Sequence, residues 1–196
     1  MKSIKTIVLI FVFGLLYVNS HAQKSEEGII NLLEERDAEI KELMGPKGSE
    51  YSEEQRAQLK QIINGIIDFE AMAKEALAET YDTISAEVRA EFVELFSIII
   101  RDQSLNNLDI YRADVTYTST EVEGDEARVE TLAQLDDVRT PVNYELAFKN
   151  NEWVITDMEI DDVSTADSYN RQFQRRINQN GFESLMETLR KRASRA

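Results

Sequence analysis

The N-terminal half of the chain carries apolar residues at helical spacing, in the stretches 29–44, 59–63, 69–77 and 88–99. Met44-Gly45-Pro46-Lys47-Gly48 ends the first stretch, because proline lacks a backbone donor and breaks a helix. Ser52, with Gln55 three positions later, predicts a capping box. Asp68 and Ser85 have the side chains that cap two further helices. We therefore expect four helices in this half.

The pattern then changes to an alternation of apolar and polar positions. The runs 115–122 and 127–135 flank Gly124-Asp125, and the runs 140–149 and 152–160 flank Asn150-Asn151. Both dipeptides favour tight hairpin turns, so four antiparallel strands are expected. Helical spacing returns after Ser164, in two stretches separated by Asn180-Gly181.

A two-residue turn at Asn150-Asn151 fixes the register of the second hairpin. It pairs Lys149 with Glu152, Phe148 with Trp153 and Leu146 with Ile155. Opposite charges and aromatic side chains then fall on alternate faces, which supports this pairing. The resulting fold class is α+β: a four-stranded antiparallel meander sheet packed by N-terminal and C-terminal helices. Whether an apolar cavity lies between the sheet and the helices is a separate question.

Residues 1–22 have the pattern of a cleavable secretory signal peptide. Two lysines precede the mostly apolar run 6–18, and Ser20-His21-Ala22 supplies small residues for cleavage. A helix of this run spans only about 20 Å, against a hydrocarbon core of roughly 30 Å, which argues against a membrane anchor. Residue 23 is Gln rather than Cys, so no lipid attachment is expected there. Residues 23–196 are predicted to form a single exported domain.

The charged residues are unevenly distributed along the chain. The net charge of −15 becomes −17 once the two lysines of the signal are removed, which disfavours nucleic acid as a partner. Residues 168–196, by contrast, carry seven Arg and Lys against two Glu. These basic helices either remain solvated or dock against the acidic body, or they contact a phosphate or an acidic partner.

Most catalytic chemistry is excluded by composition. The sole histidine is His21 and there is no cysteine, so the exported domain lacks the usual general base, the thiol nucleophile and most zinc ligands. No glycine-rich phosphate loop is present. An acidic cluster, Asp157, Glu159, Asp161 and Asp162, is the one place for carboxylate chemistry, and such clusters are usually solvated. We expect no enzyme activity, no cofactor and no metal.

Apolar side chains of the predicted sheet and of the helices facing it could line a cleft for a small ligand. The alternative is an ordinary filled core, because periodicity does not distinguish the two. The candidates on the strands are Val129, Thr131, Tyr144, Leu146, Phe148, Trp153 and Ile155. Those on the helices are Phe92, Phe96, Ile99 and Phe173.

Several ordered segments resemble the MlaC family of periplasmic phospholipid-binding proteins, also called the toluene-tolerance auxiliary family. They are Asp68-Phe69-Glu70-Ala71-Met72-Ala73, the helix 86–96, Tyr144-Glu145-Leu146, Trp153-Val154-Ile155-Thr156-Asp157-Met158, Val163-Ser164, Tyr169, Gln172-Phe173, Gly181 and Leu185. The resemblance covers nearly all of residues 23–196 and is sharpest over 140–192. Asp162 and Asn170 stand where many relatives have glycine and arginine.

The resemblance implies a phospholipid carrier with no cofactor. Such proteins hold acyl chains between sheet and helices and shuttle lipid across the periplasm. Their partners are an outer-membrane lipoprotein–porin complex and an inner-membrane Mla-type ABC transporter. The resemblance adds Tyr169, with Phe173, to the cavity wall and treats Asp157 and Ser164 as structural. The alternative hypothesis is a periplasmic adaptor domain with a filled core that docks on membrane complexes without carrying lipid.

Overall fold

The computed structural model describes residues 24–106 and 108–195. The predicted signal peptide, residues 1–22, lies outside the described residues and stays a prediction. The helices are α1 (Glu26–Met44), α2 (Glu53–Asn64), α3 (Phe69–Leu77), α4 (Glu79–Thr83), α5 (Ala86–Asn106), α6 (Thr165–Asn180) and α7 (Phe182–Ala193), with a 3-10 turn at Leu108–Arg112. The strands are β1 (Asp114–Glu123), β2 (Glu126–Leu135), β3 (Val138–Lys149), β4 (Glu152–Ile160) and β5 (Val163–Ser164). The α+β prediction is confirmed.

Side-chain caps start the helices where the sequence predicts. Gln55 N donates to Ser52 Oγ at 3.2 Å and Ser52 N donates to Gln55 Oε1 at 3.1 Å, which completes the capping box. Asp68 and Ser85 each accept a bond from the amide three residues on, at 2.9 and 3.3 Å. The short helix α4 is absent from the prediction, because Ala78 turns the chain at φ +48° without a glycine or proline to mark the break.

The strands form one antiparallel sheet in the order β1-β2-β3-β4-β5. The sheet has five strands rather than the predicted four. Asp161 and Asp162, at φ +53° and +61°, turn the chain back after β4, and Val163 then pairs with Ile160. A strand of two residues has no alternating pattern to detect, so the sequence showed only the turn's acidic residues.

The register of the second hairpin is confirmed. Asn150 and Asn151 adopt φ of +52° and +70°, as a two-residue turn of this hand requires. The three predicted pairs of residues across this turn are all present. Gly124, at φ +67°, makes the corresponding turn between β1 and β2.

Buried apolar side chains form three clusters. The helical cluster joins α3, α4, α5, α6 and α7 and includes Phe92, Phe96, Tyr169, Phe173, Leu185 and Met186. The sheet cluster contains Ala127, Val129, Leu146, Trp153 and Ile155 of the strands with Ile29 and Leu33 of α1. The end cluster joins the C-terminal ends of α1 and α5 to α2 through Ile40, Met44, Leu59, Leu105 and Leu108.

The helix that covers the sheet cluster is α1, not the phenylalanine-bearing α5 that the sequence placed there. The apolar stripe of α5 packs instead against other helices, in the helical cluster. Periodicity shows that a helix has an apolar face but not which surface covers it. Both α3 and α6 contact the sheet along β4.

Candidate functional site

The strand residues of the predicted site come together on one face of the sheet. Val129, Leu146, Trp153 and Ile155 are each less than 5% exposed and pack with α1. Tyr144 and Phe148 pack against them and are partly buried. The Phe148 and Trp153 rings meet edge to face at 5.2 Å, which extends the apolar surface toward the second hairpin turn. Thr131 is buried farther along β2, and its hydroxyl donates to the carbonyl of Val142.

The helix residues of the predicted site lie in the helical cluster, apart from those of the strands. Phe96 stacks on Phe92 at 5.8 Å and meets Tyr169 edge to face at 4.9 Å. Phe173 meets Phe92 edge to face at 5.7 Å, and Ile99 is buried in the same cluster. This interlocked aromatic packing is typical of a filled core.

The segment 66–68 lies between the two halves of the predicted site. Ile155 N donates to Ile66 O at 2.7 Å, and Asp68 N donates to Ile155 O at 2.8 Å. The side chain of Ile67 packs against both the helical cluster and the sheet cluster. The structure therefore does not bring all twelve predicted residues around one cavity, and their role in binding lipid stays a prediction.

A groove of about 340 Å³ opens along the side of the sheet cluster, between α1 and the start of β4. Leu32, Ile66 and Trp153 form its apolar wall. Its polar rim contains Asn31, Glu35, Arg36 and Glu152. The volume is at the lower end of the range for small-ligand pockets, which is too small for a ligand with two long acyl chains. Such a ligand fits only where side chains now packed on the sheet make room.

Three tyrosines lie where the sheet cluster approaches the end cluster. Burial, with smaller contributions from the nearby Tyr111 and Asp37, raises the pKa of Tyr144 to about 12. Burial also raises the pKa of Tyr117, with Tyr144 and Asp37 adding to the effect. Burial raises the pKa of Tyr111, and a hydrogen bond with Ser104 partly offsets the shift. All three hydroxyls therefore stay neutral at physiological pH and place weak polar groups beside an apolar face.

The candidate acidic cluster does not form a carboxylate pair facing a cleft. Asp157 Oδ1 accepts from Ala166 N at 3.0 Å, and Asp157 Oδ2 accepts from Ser164 Oγ at 2.5 Å. Ser164 Oγ in turn accepts from Asp167 N at 3.0 Å, so both side chains hold the start of α6. Glu159 pairs with Arg128 at 2.8 Å. The described residues contain no group of three or more acidic or histidine side chains placed to hold a metal.

The family to which these elements belong is decided by the chain's match to known sequences. The sequence model described as MlaC protein matches residues 36–191, well over half of the chain. The chain belongs to the MlaC family. No curated protein sequence matches it.

A solved structure has the same fold. It is the phospholipid-binding protein from Ralstonia solanacearum, determined in complex with a phospholipid, with a TM-score of 0.71 and 17% sequence identity. The match covers 88% of this chain and 98% of that one. At this identity the likeness establishes the fold alone. None of the helices between residues 24 and 195 that the structure describes has the length and apolar character to cross a membrane.

Sequence reasoning missed the residues of this MlaC-family chain that cover the sheet face. Ile29 and Leu33 of α1 are buried there, and Leu32 and Ile66 line the groove. Their helical spacing was visible, but the pattern did not say which apolar face of the protein α1 covers. The family match begins at residue 36, so Ile29 and Leu33 also lie before the matched range.

Proposed function

We propose that this protein is a periplasmic phospholipid carrier. The acyl chains of the bound lipid occupy the sheet cluster beneath α1. One observation carries the proposal: a continuous apolar face of β2, β3 and β4 is covered by the N-terminal half of α1, with only Ile66 and Ile67 packing beside that helix. Membership of the MlaC family and the fold shared with a phospholipid-bound protein support it. The proposed route runs between an outer-membrane lipoprotein–porin complex and an inner-membrane ABC transporter.

Exchange of α1 for lipid is physically reasonable because both present hydrocarbon to the same surface. Burying an Ile or Leu side chain stabilises by about 1.5–3 kcal/mol, and burying each acyl methylene by about 0.8 kcal/mol. Acyl chains that replace Ile29 and Leu33 on the sheet thus restore the lost burial. Phospholipid leaving a bilayer unaided exposes both chains to water, which makes such a shelter necessary.

The attachment of α1 differs between its two ends. Near its N-terminus, Lys24 forms an ion pair with Asp125 and lies 5.3 Å from the Phe148 ring centroid. A solvent-exposed pair of this kind contributes about 0–1 kcal/mol. Near its C-terminus, Ile40 and Met44 are buried in the end cluster. We propose that the N-terminal half moves off the sheet while the C-terminal end stays in place.

The carrier hypothesis is tested by extracting the purified protein with organic solvent and analysing the extract by mass spectrometry. We expect phospholipid in stoichiometric amount and uptake of labelled phospholipid from vesicles. Absence of both results would favour the adaptor hypothesis, in which a filled core docks on membrane complexes. The location of the lipid needs a separate experiment, because a carrier could hold it elsewhere.

The location is tested by linking α1 to the sheet. The chain has no cysteine, so Lys24→Cys with Asp125→Cys can be joined specifically by a short bismaleimide. We expect the linked protein to lose uptake and the unlinked double variant to keep it. The matched control links Lys47→Cys to Asp136→Cys, whose native side chains lie 3.6 Å apart beyond the C-terminal end of α1. Uptake should survive there, and equal uptake in both linked proteins would contradict movement of α1.

A further inference from the structure

A groove of about 300 Å³ runs between α6 and α7. Its floor contains the buried side chains of Phe173, Leu185 and Leu189. Its ionisable lining residues are Arg175, Arg176 and Arg192, and no carboxylate lines it. An all-cationic groove is unexpected in a chain with a net charge of −15.

The arginines of this region differ in whether acidic residues of the protein pair with them. Arg190 is engaged: it pairs with Glu91 and with Glu183, each at 2.7 Å. Among the described residues, no carboxylate lies within ion-pair distance of Arg175, Arg176 or Arg192. Arg176 has a hydrogen bond to Ser184 Oγ at 3.3 Å, which positions its guanidinium at the rim. The rim charges are thus available to a partner.

We propose that the α6–α7 groove is a docking site for an acidic amphipathic helix of another protein. An apolar side chain of that helix fills the floor, and its carboxylates meet the three guanidinium groups of the rim. Helix-in-groove docking uses this combination, and arginine is enriched in protein interfaces because its planar group binds carboxylates with two hydrogen bonds.

An anionic membrane fits the groove less well. A bilayer surface is flat, and membrane-binding segments insert exposed apolar side chains. The large exposed apolar side chains in the described part of the chain, Ile110, Val138, Ile160 and Val163, all lie outside α6 and α7. The acidic remainder of the protein is also repelled by an anionic surface, whereas a single docked helix lies within the Debye length of about 8 Å from the rim charges.

The test uses a fluorescent helical peptide with glutamates on one face and leucines on the other. Its control peptide carries glutamine in place of each glutamate. We expect fluorescence polarisation to show tighter binding of the glutamate peptide by about tenfold, and binding that weakens as salt is added. The variant Arg175→Glu, Arg176→Glu, Arg192→Glu should lose on the order of tenfold in affinity.

The matched control, Lys47→Glu, Arg56→Glu, Lys74→Glu, makes the same change in net charge at scattered exposed sites. Its affinity should change by less than about twofold, because those sites lie outside the groove. If circular dichroism shows that the glutamate variant is unfolded, the three Arg→Gln substitutions give the same comparison. Equal binding of both peptides, or equal loss in both triple variants, would overturn the proposal. So would Arg-dependent binding to phosphatidylglycerol vesicles that exceeds binding to the peptide.

Discussion

The helical cluster is enclosed by five helices and contains interlocked aromatic rings, whereas the sheet cluster is covered on one side by half of α1 with Ile66 and Ile67 beside it. Phe92 and Phe96 are fully buried and each contacts other rings at under 6 Å. In the sheet cluster, α1 contributes Ile29 and Leu33, and a groove already runs along its margin. The helical cluster is thus a filled core, whereas the proposed carrier function has the N-terminal half of α1 moving off the sheet cluster. The difference indicates where a ligand can enter without unfolding the protein.

The largest effect is expected from Phe96→Ala in the helical cluster. Removing this fully buried ring leaves a cavity that the surrounding helices cannot close, so we expect a loss of about 3–5 kcal/mol in the free energy of unfolding. Urea denaturation measures it. Ile110→Ala, at a 44% exposed side chain, is the matched control and should change stability by less than about 0.5 kcal/mol. A small loss in Phe96→Ala would mean that this cluster is as adaptable as the sheet cluster.

A smaller loss is expected from Ile29→Ala in the sheet cluster. Because the N-terminal half of α1 can settle onto the sheet, we expect the low end of the range for such substitutions, about 2 kcal/mol. The same variant should take up labelled phospholipid faster than wild type, because α1 is held on the sheet by less apolar contact. A loss as large as that of Phe96→Ala, or slower uptake, would remove the distinction between the two clusters.

The tyrosines beside the sheet cluster give a pH-dependent effect. An unfolded tyrosine ionises near pH 10, whereas burial raises the pKa of folded Tyr144 to about 12. Between these values the unfolded state has lost the proton that the folded state keeps, so stability is intact below pH 10 and falls as pH rises. The slope from Tyr144 is about 1.4 kcal/mol per pH unit. Tyr144→Phe should flatten the curve of unfolding free energy against pH, and parallel curves would contradict the assignment.

The smallest effect is expected from Lys24→Met, which removes the ion pair with Asp125. The pair is exposed, so the free energy of unfolding should fall by less than about 1 kcal/mol. Lipid uptake should nevertheless rise at low salt, where the wild-type pair is strongest, and converge with wild type at high salt. Uptake that is unchanged at every salt concentration would show that Lys24 does not hold α1 on the sheet.

Local features were predictable from the sequence because they depend on neighbouring residues. The capping box of Ser52 and Gln55 and the turn at Asn150-Asn151 are read directly from side-chain chemistry. Pairing across that turn follows from its length, so the register of Phe148 with Trp153 was predictable too. These features needed no knowledge of the tertiary structure.

The assembly of the site was not predictable in the same way. The sequence shows that α1 and α5 each have an apolar stripe, but both stripes could cover the sheet equally well. In the structure, segment 66–68 is hydrogen-bonded to β4 at Ile155 and lies between the two clusters, a long-range arrangement that local periodicity does not show. The two-residue strand β5 was missed for a different reason, since it is too short to show a period.

Segment 66–68 also has a consequence for self-association. By bonding both the amide and the carbonyl of Ile155, it occupies backbone groups on the outer side of β4, and β5 covers the far end of that strand. At the opposite margin, β1 has a register shift between Tyr117 and Ser119 that breaks its regular row of donors and acceptors. Neither margin offers another copy a long, regular strand to pair with. The proposed exposure of the sheet's apolar face therefore does not coincide with a free, regular strand edge.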